Sequence, residues 1–130
     1  MKMPIHIPSV LFSGLFIVVS CLSICADTHF VSPAGGNVYP YTHWEDAAHS
    51  IQDALSAAAD GDTVRVTNGV YTGFGSIAHG SNVVAITHTV TVVSVNGPAG
   101  TYIDGSGIRR CVYMKCGTLE GMTLTNGFVH

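Results

Sequence analysis

Formal charge is scarce in this chain of 130 residues: charged residues make up 10%, and five Lys and Arg stand against eight Asp and Glu. The net charge is therefore −3. A surface that binds nucleic acid needs clustered cations to neutralise phosphates, so the shortage of basic residues argues against this class of partner. At this length, the chain has room for one domain at most.

Cysteine is also sparse, and its positions do not suit a zinc site. Two of the four cysteines fall in the apolar N-terminal stretch, which leaves Cys111 and Cys116. No second Cys or His pair accompanies them at the spacing of zinc ligands. On one straight strand their side chains would lie on opposite faces about 16 Å apart, too far for a disulfide. We expect two free, mostly buried thiols; the alternative is a disulfide across a bend.

The chain lacks an apolar run long enough for a comfortable membrane span. Its longest run, Val10 to Ile24, follows an N-terminal lysine and has the length of a signal peptide. Small residues before Ala26 predict cleavage there, so we expect residues 1–25 to be a signal peptide and 26–130 to be the exported domain. Two alternatives are a lipoprotein signal that makes Cys21 the lipidated first residue, and an uncleaved anchor.

One stretch has the pattern of an amphipathic helix. Thr42 and Glu45 have the spacing of a capping box, in which each side chain satisfies an unpaired backbone amide at the helix start. Gly61 occupies the position typical of the left-handed residue after a helix. Apolar residues recur between them at steps of three and four, which places them on one face. The sequence predicts a helix over Thr42–Asp60 whose buried stripe comprises Trp44, Ala47, Ala48, Ile51, Leu55 and Ala58.

Short apolar runs bounded by Gly, Asn and Pro predict strands before and after this helix. A glycine-rich stretch from Thr72 to Asn82 predicts a loop that leaves the scaffold. The predicted strands are His29 to Ser32, Val64 to Val66, Val70 to Tyr71, Val83 to Ile86, Val92 to Val95, Tyr102 to Ile103 and Cys111 to Met114, and the chain closes with the stretch Leu119 to Gly127.

The dipeptide Asn-Gly recurs at Asn68, Asn96 and Asn126, at separations of 28 and 30 residues. Each occurrence ends a β-rich heptad: TVRVTNG, TVVSVNG and GMTLTNG. A period of this length, made of strands and turns without helices, is typical of a stacked solenoid. Antiparallel hairpins are the alternative for such turns, although the strands that follow two of them would be only two residues long.

The heptads also predict which side chains stack. When they are aligned on Asn-Gly, Val64 and Val66 match Met122 and Leu124. In the middle repeat, Ser94 falls where an apolar residue is expected. A slip of one residue there would turn the neighbouring valines inward.

These features together resemble the N-terminal region of right-handed parallel β-helix proteins of the pectate-lyase-like superfamily, in particular large secreted bacterial members. The resemblance covers nearly all of the chain after the leader. The matching residues are Phe30 to Pro33, Trp44, Ala47, Ile51, Gln52, Ala54, Ala58, Gly61 to Val64, Val66, Gly69, Tyr71, Ser94 to Pro98, Ile103 to Gly105 and Leu119 to Leu124.

The resemblance implies an all-β solenoid, a right-handed parallel β-helix of about three coils. In that family a helix caps the end of the β-helix, which agrees with the amphipathic stripe of Thr42–Asp60. Family members usually have many more coils, so we expect a truncated chain or a fragment of a longer protein. An open last coil exposes unpaired strand edges, and self-association there is a further expectation.

The resemblance does not bring an active site with it. Pectate lyases hold calcium with clustered carboxylates and use an arginine as base, and no stretch here matches such a motif. Asp104 with Arg109 and Arg110 comes nearest, and we interpret the three as a turn aspartate beside solvated arginines. We therefore expect no catalytic, cofactor-binding or metal-binding residues.

Two groups of side chains remain as candidates for binding. His43 and His49 are six residues apart, which is not the ligand spacing of one helical face, so we expect solvated histidines. Tyr39, Tyr41 and Trp44 have rings that stack on sugars. Packing is the favoured interpretation, because Trp44 belongs to the predicted buried stripe and the tyrosines suit a packed entry loop.

The functional hypothesis is a secreted, non-catalytic β-helix module that is a structural scaffold or binds polysaccharide or a cell surface. The alternative is the N-terminal part of a calcium-dependent polysaccharide lyase or related glycosidase that lacks its active-site coils. Calcium would be a cofactor only in the second case. Both hypotheses place the protein outside the cell, without a nucleic-acid partner and with the membrane contacted only through the leader.

Overall fold

The computed structural model describes residues 25–76 and 80–129. The leader prediction therefore lies almost entirely outside the described residues. Within them the chain forms one α-helix, α1 (Ile51–Ala57), and a 3-10 turn (Trp44–Asp46). The strands are β1 (Thr28–Val31), β2 (Thr63–Val66), β3 (Gly69–Tyr71), β4 (Asn82–Ile86), β5 (Thr91–Ser94), β6 (Thr101–Asp104), β7 (Arg110–Met114), β8 (Thr118–Glu120) and β9 (Thr123–Thr125).

These strands form three sheets, in the orders β1-β2-β5-β8, β3-β6-β9 and β4-β7. Every pair of neighbouring strands is parallel. From β2 onward the chain passes through the first, second and third sheet in turn and then returns to the first. Hairpins at the Asn-Gly turns are therefore excluded, because a hairpin joins antiparallel strands. The cyclic order is compatible with a β-solenoid.

The first two Asn-Gly turns stack as the repeat predicts. Val64 pairs with Val92, 28 positions later, and Val92 pairs with Leu119. The Asn-Gly turns that follow β2 and β5 are joined by a hydrogen bond, in which Asn96 Nδ2 donates to Asn68 Oδ1 at 3.0 Å. The step of 28 residues thus equals the separation of paired residues in β2 and β5, whereas residues paired between β5 and β8 are 27 apart.

The third Asn-Gly turn belongs to a different sheet. Leu124 lies in β9 and pairs with Ile103 of the second sheet, so the predicted stacking of Met122 and Leu124 on Val64 and Val66 is wrong. Asn126 Nδ2 instead donates to a carboxylate of the second sheet at 3.1 Å. Asn-Gly suits a turn after any strand, and spacing alone does not show which sheet that strand joins.

Ser94 faces the core without any slip of register. The side chain is buried in β5, its hydroxyl donates to the carbonyl of Gly121, and its Oγ accepts from Gly97 N at 3.1 Å. The predicted slip is therefore wrong. A buried hydroxyl is tolerated at this position because both its donor and its acceptor capacity are used.

The segment predicted as one long helix is divided into three parts. After the 3-10 turn, Ala48 is extended and bridges to Val31 of β1. Its N–H donates to Phe30 O at 2.8 Å, and its carbonyl accepts from Ser32 N at 2.9 Å. These two bonds hold the backbone extended, so pairing with β1 overrides helix propensity.

The predicted cap and the predicted end of the helix are also wrong. α1 begins after Ser50, whose Oγ accepts from Asp53 N at 3.1 Å, and no side chain caps the 3-10 turn. The helix ends at Ala57, before the predicted Asp60. Gly61 has the expected left-handed conformation, with a φ of 94°.

The core lies between the sheets and the inner face of α1, which packs against β1, β2 and β4. Ile51 and Leu55 are fully buried, and each contributes about 2 kcal/mol through apolar transfer. Of the predicted stripe, Trp44 is the exception: its side chain is 39% exposed and its ring lies on Phe30, with centroids 4.4 Å apart. The remaining core residues include Val31, Val64, Val66, Val84, Ile86, Val92 and Ile103.

The described cysteines are free, as expected for the two after the leader. Cys111 is buried, and its thiol donates to Thr125 O at 3.1 Å. Cys116 lies after the end of β7 and is exposed, so its predicted burial is wrong.

Candidate binding pockets

Two pockets open on the surface of the described residues. The first lies at the start of β7 and has a volume of about 210 Å³. We call it the arginine pocket, and its lining residues are Gly80, Ser81, Ile108, Arg109, Arg110, Phe128 and Val129.

Backbone hydrogen bonds bring the three segments of the arginine pocket together. Arg110 N donates to Ser81 O at 3.0 Å, and Phe128 N donates to Arg109 O at 2.9 Å. The turn before β7 is closed by Arg109 N, which donates to Gly105 O at 3.1 Å. The two arginines are consequently fixed between a loop end and the segment that follows β9.

The guanidinium groups give this pocket its charge. Arg110 Nη1 donates to Asn82 Oδ1 at 3.3 Å. Arg109 Nε is buried and has no hydrogen-bond partner among the described residues. Two half-buried arginines make the lining of the pocket positively charged, so the pocket favours a ligand with an anionic acceptor.

The aspartate near these arginines in the sequence, Asp104, has the turn role that the sequence predicts. Asp104 Oδ1 accepts from Ser106 N at 2.8 Å and from Asn126 Nδ2 at 3.1 Å, so it stabilises a turn, as predicted. The arginines themselves are half-buried, and their predicted full solvation is wrong. Apolar side chains form the rest of the rim: Ile108, Phe128 and Val129 are 59%, 45% and 66% exposed.

The second pocket lies between the start of α1, β3 and the loop after β3. Its volume is about 270 Å³. We call it the apolar pocket, and its lining residues are Pro33, His49, Ser50, Ile51, Val70, Tyr71, Thr72, Phe74, Gly75 and Val83.

Tyr71 closes the floor of the apolar pocket as a neutral phenol. Its hydroxyl donates to Thr67 O at 2.9 Å. Burial raises the pKa of Tyr71 above its ordinary value, and this effect exceeds the opposing influence of the Thr67 side chain. The floor therefore carries no charge at physiological pH.

A buried pair, His29 and Asp62, lies outside both pockets. Asp62 also accepts from the backbone N–H groups of Asp27 and Ala59, each at 2.9 Å. Burial alone would raise the pKa of Asp62, but these two amides together with His29 lower it below its ordinary value. The pair connects β1 to the start of β2 and is structural. Its signal in the sequence was the alternation of β1, which places His29 on the same face as Val31.

The remaining candidates from the sequence are dispersed. Tyr39 is 71% exposed and meets Tyr41 edge-on, with ring centroids 5.9 Å apart, while Tyr41 packs against the core. His43 and His49 are exposed, and only His49 lines a pocket. Phe74 and Phe128 were not predicted as binding residues. An aromatic residue in the long loop after β3 was the available signal for Phe74.

Within residues 25–76 and 80–129, no three His, Cys, Asp or Glu side chains form a group that could hold a metal ion. Among these residues, no helix has the length and apolar character of a membrane span.

Comparison of the chain with protein-family models, with curated proteins and with solved structures found no match. The structure itself shows parallel β-sheets with one short helix, a fold compatible with a β-solenoid.

Proposed function

We propose that this chain is a secreted module with a right-handed parallel β-helix fold, which binds an acidic polysaccharide without cleaving it. The parallel pairing and the cyclic order of the three sheets support the β-helix part of the proposal. The observation that carries the binding part is the presence of two half-buried arginines, Arg109 and Arg110, in the lining of one pocket.

The chemistry of the arginine pocket supports an organic anion in particular. A guanidinium fork matches the two oxygens of a carboxylate, and such charge-assisted bonds are about twice as strong as neutral ones. Arg109 and Arg110 both line the pocket, and the guanidinium group of Arg110 also donates to Asn82. Phe128 and Ile108 add apolar surface to the same pocket. A uronic acid combines both features, since it carries a carboxylate on a ring whose C–H groups are apolar.

The size of the pocket supports recognition of one sugar unit at a time. Its volume of about 210 Å³ is below the range of pockets that enclose a whole drug-sized ligand. A polymer would place one acidic unit in the pocket and continue across the surface. Repetition of that unit along the polymer would raise the apparent affinity through rebinding.

The test is binding of the full chain to polygalacturonate, measured by affinity electrophoresis and calorimetry at fixed ionic strength. Arg109→Gln should weaken binding at least tenfold, since it removes the charge and the fork. Arg65→Gln is the matched control, because Arg65 is an exposed arginine of β2 outside both pockets. An equal loss in the two variants, or no loss in either, would refute the assigned pocket.

A second measurement addresses cleavage. Incubation of the full chain with calcium and polygalacturonate should produce no absorbance from unsaturated products. The appearance of that absorbance would overturn the non-catalytic part of the proposal and favour a polysaccharide lyase.

A further inference from the structure

The apolar pocket has the features of a second ligand site, separate from the arginine pocket. Its floor consists of the buried side chains Ile51, Tyr71 and Val83, and its rim exposes 60% of Val70 and 61% of Phe74. An exposed phenyl ring beside an apolar floor leaves a large apolar area in water. A ligand that covers this area gains the corresponding transfer free energy.

A hydrogen bond inside the protein determines which ring nitrogen of His49 donates and which accepts. One of its ring nitrogens, Nε2, lies 2.6 Å from Gly35 O. A carbonyl oxygen can only accept, so Nε2 carries the proton of the neutral ring, and Nδ1 is left as an acceptor. His49, which lines the apolar pocket, therefore has one ring nitrogen that can accept from a ligand.

Ser50 supplies the complementary group. Its Oγ accepts from Asp53 N at 3.1 Å at the start of α1, and this bond uses a lone pair rather than the hydroxyl hydrogen. The hydrogen of Ser50 thus remains able to donate. A donor and an acceptor on consecutive residues, His49 and Ser50, suit a pair of hydroxyl groups on one ligand.

The lack of charged side chains in the apolar pocket disfavours an ionic ligand. None of the ten lining residues carries a formal charge when His49 is neutral. An anion or a cation placed here would lose hydration without meeting an opposite charge. The ligand class is therefore neutral, in contrast to that of the arginine pocket.

From these features we infer that the apolar pocket binds one neutral sugar ring, with its C–H face on Phe74 and its hydroxyl groups at His49 and Ser50. The volume of about 270 Å³ suits a single ring. The site is independent of the arginine pocket. A free sugar and a neutral unit within a polymer present the same chemistry, so the experiment includes both.

The experiment is a titration of the isotope-labelled full chain, followed by NMR, with the methyl glycosides of glucose, galactose, mannose and xylose and with neutral oligosaccharides. At least one probe should give saturable shifts at the amides of Ser50, Thr72 and Gly75. Tighter binding of an oligosaccharide than of its methyl glycoside would identify a polymer unit, and equal affinity a free sugar. The absence of saturable shifts with all probes would overturn the inference.

Variants of the two exposed phenylalanines separate this site from the arginine pocket. Phe74→Ala should weaken sugar binding at least tenfold, and Phe74→Trp should retain it. Phe128→Ala and Arg109→Gln should leave neutral sugar binding unchanged, since both residues line the other pocket. Equal weakening by Phe74→Ala and Phe128→Ala would refute the site, as would binding of cyclohexanol with the affinity of the best sugar. If the unsubstituted chain bound neutral sugar but not polygalacturonate, only the proposed function would be refuted.

Discussion

His29 Nε2 lies 2.9 Å from Asp62 Oδ2, and both side chains are buried. The other ring nitrogen, Nδ1, lies 2.8 Å from Pro40 O. A backbone carbonyl and a carboxylate oxygen therefore lie at the two ring nitrogens and hold the ring in one orientation. These hydrogen bonds join β1, the start of β2 and the loop that precedes the 3-10 turn.

Asp62→Asn should destabilise the protein by about 2 kcal/mol, because an amide group cannot accept from Asp27 N, Ala59 N and His29 at once, which leaves a buried donor unpaired. Urea unfolding followed by circular dichroism measures the change. The chain provides a matched control in the exposed pair His43 and Asp46, whose Nδ1 and Oδ2 lie 3.9 Å apart. Asp46→Asn should change stability little, since exposed ion pairs contribute little. Similar effects of the two substitutions would contradict the structural role of the buried pair.

The lowered pKa of Asp62 predicts a dependence of stability on acid. A carboxyl group whose folded pKa is depressed stabilises the fold above its unfolded pKa, and that contribution is lost as the pH falls through the folded value. The unfolded pKa corresponds to the ordinary value of 3.8. The free energy of unfolding should therefore fall below this pH more steeply in the wild type than in Asp62→Asn. Parallel pH profiles for the two proteins would show that Asp62 does not carry this dependence.

Two hydroxyl residues distinguish the observed helix start from the predicted one. Ser50→Ala should cost about 1 kcal/mol, because Asp53 N loses its acceptor at the start of α1. Thr42→Ala should have little effect, since the Thr42 hydroxyl caps no helix and has only an exposed contact with His43. Thermal and urea unfolding of the two variants provide the comparison. A larger loss for Thr42→Ala would indicate that the helix begins where the sequence pattern placed it.

Gly97 and Gly117 have nearly the same left-handed backbone, with φ values of 85° and 86°, but different surroundings. A Cβ at Gly97 would meet no atom within 4 Å, whereas one at Gly117 would lie 2.6 Å from Val90 O and 2.9 Å from His88 O. Gly97→Ala should cost about 1–2 kcal/mol from backbone strain alone. Gly117→Ala should cost clearly more, because two backbone carbonyls must move. Equal unfolding midpoints for the two variants would contradict this packing.

Much of the strand arrangement was predictable, because its determinants are local. Alternation in β2 shows the inward face at Val64 and Val66 without knowledge of the partner strand. The step of 28 residues between the first two Asn-Gly turns also predicted the pairing of β2 with β5. The third Asn-Gly turn, at Asn126, was assigned to the wrong sheet, because Asn-Gly is compatible with a turn after a strand of either sheet.

The helix prediction failed at Ala48 for a non-local reason. Alanine favours helix by intrinsic propensity, but the N–H and carbonyl of Ala48 are bonded to Phe30 and Ser32 of the strand segment nearly twenty residues earlier. No window of sequence around Ala48 contains that partner.

The sequence by itself determined most strand positions, the inward face of β2 and the step of 28 residues between β2 and β5, since these follow from side-chain periodicity and turn chemistry along a few neighbouring residues. Only the tertiary structure decided the division of the helix, the assignment of β8 and β9 to different sheets, the hydrogen-bonded pair His29 and Asp62, and both pockets. The arginine pocket joins Ser81, Arg109 and Phe128, which are far apart in the chain and meet through parallel pairing. Whether these residues meet depends on which strands pair and in which register. Strand pairing and register are set by the free energy of the whole fold rather than by that of any one segment.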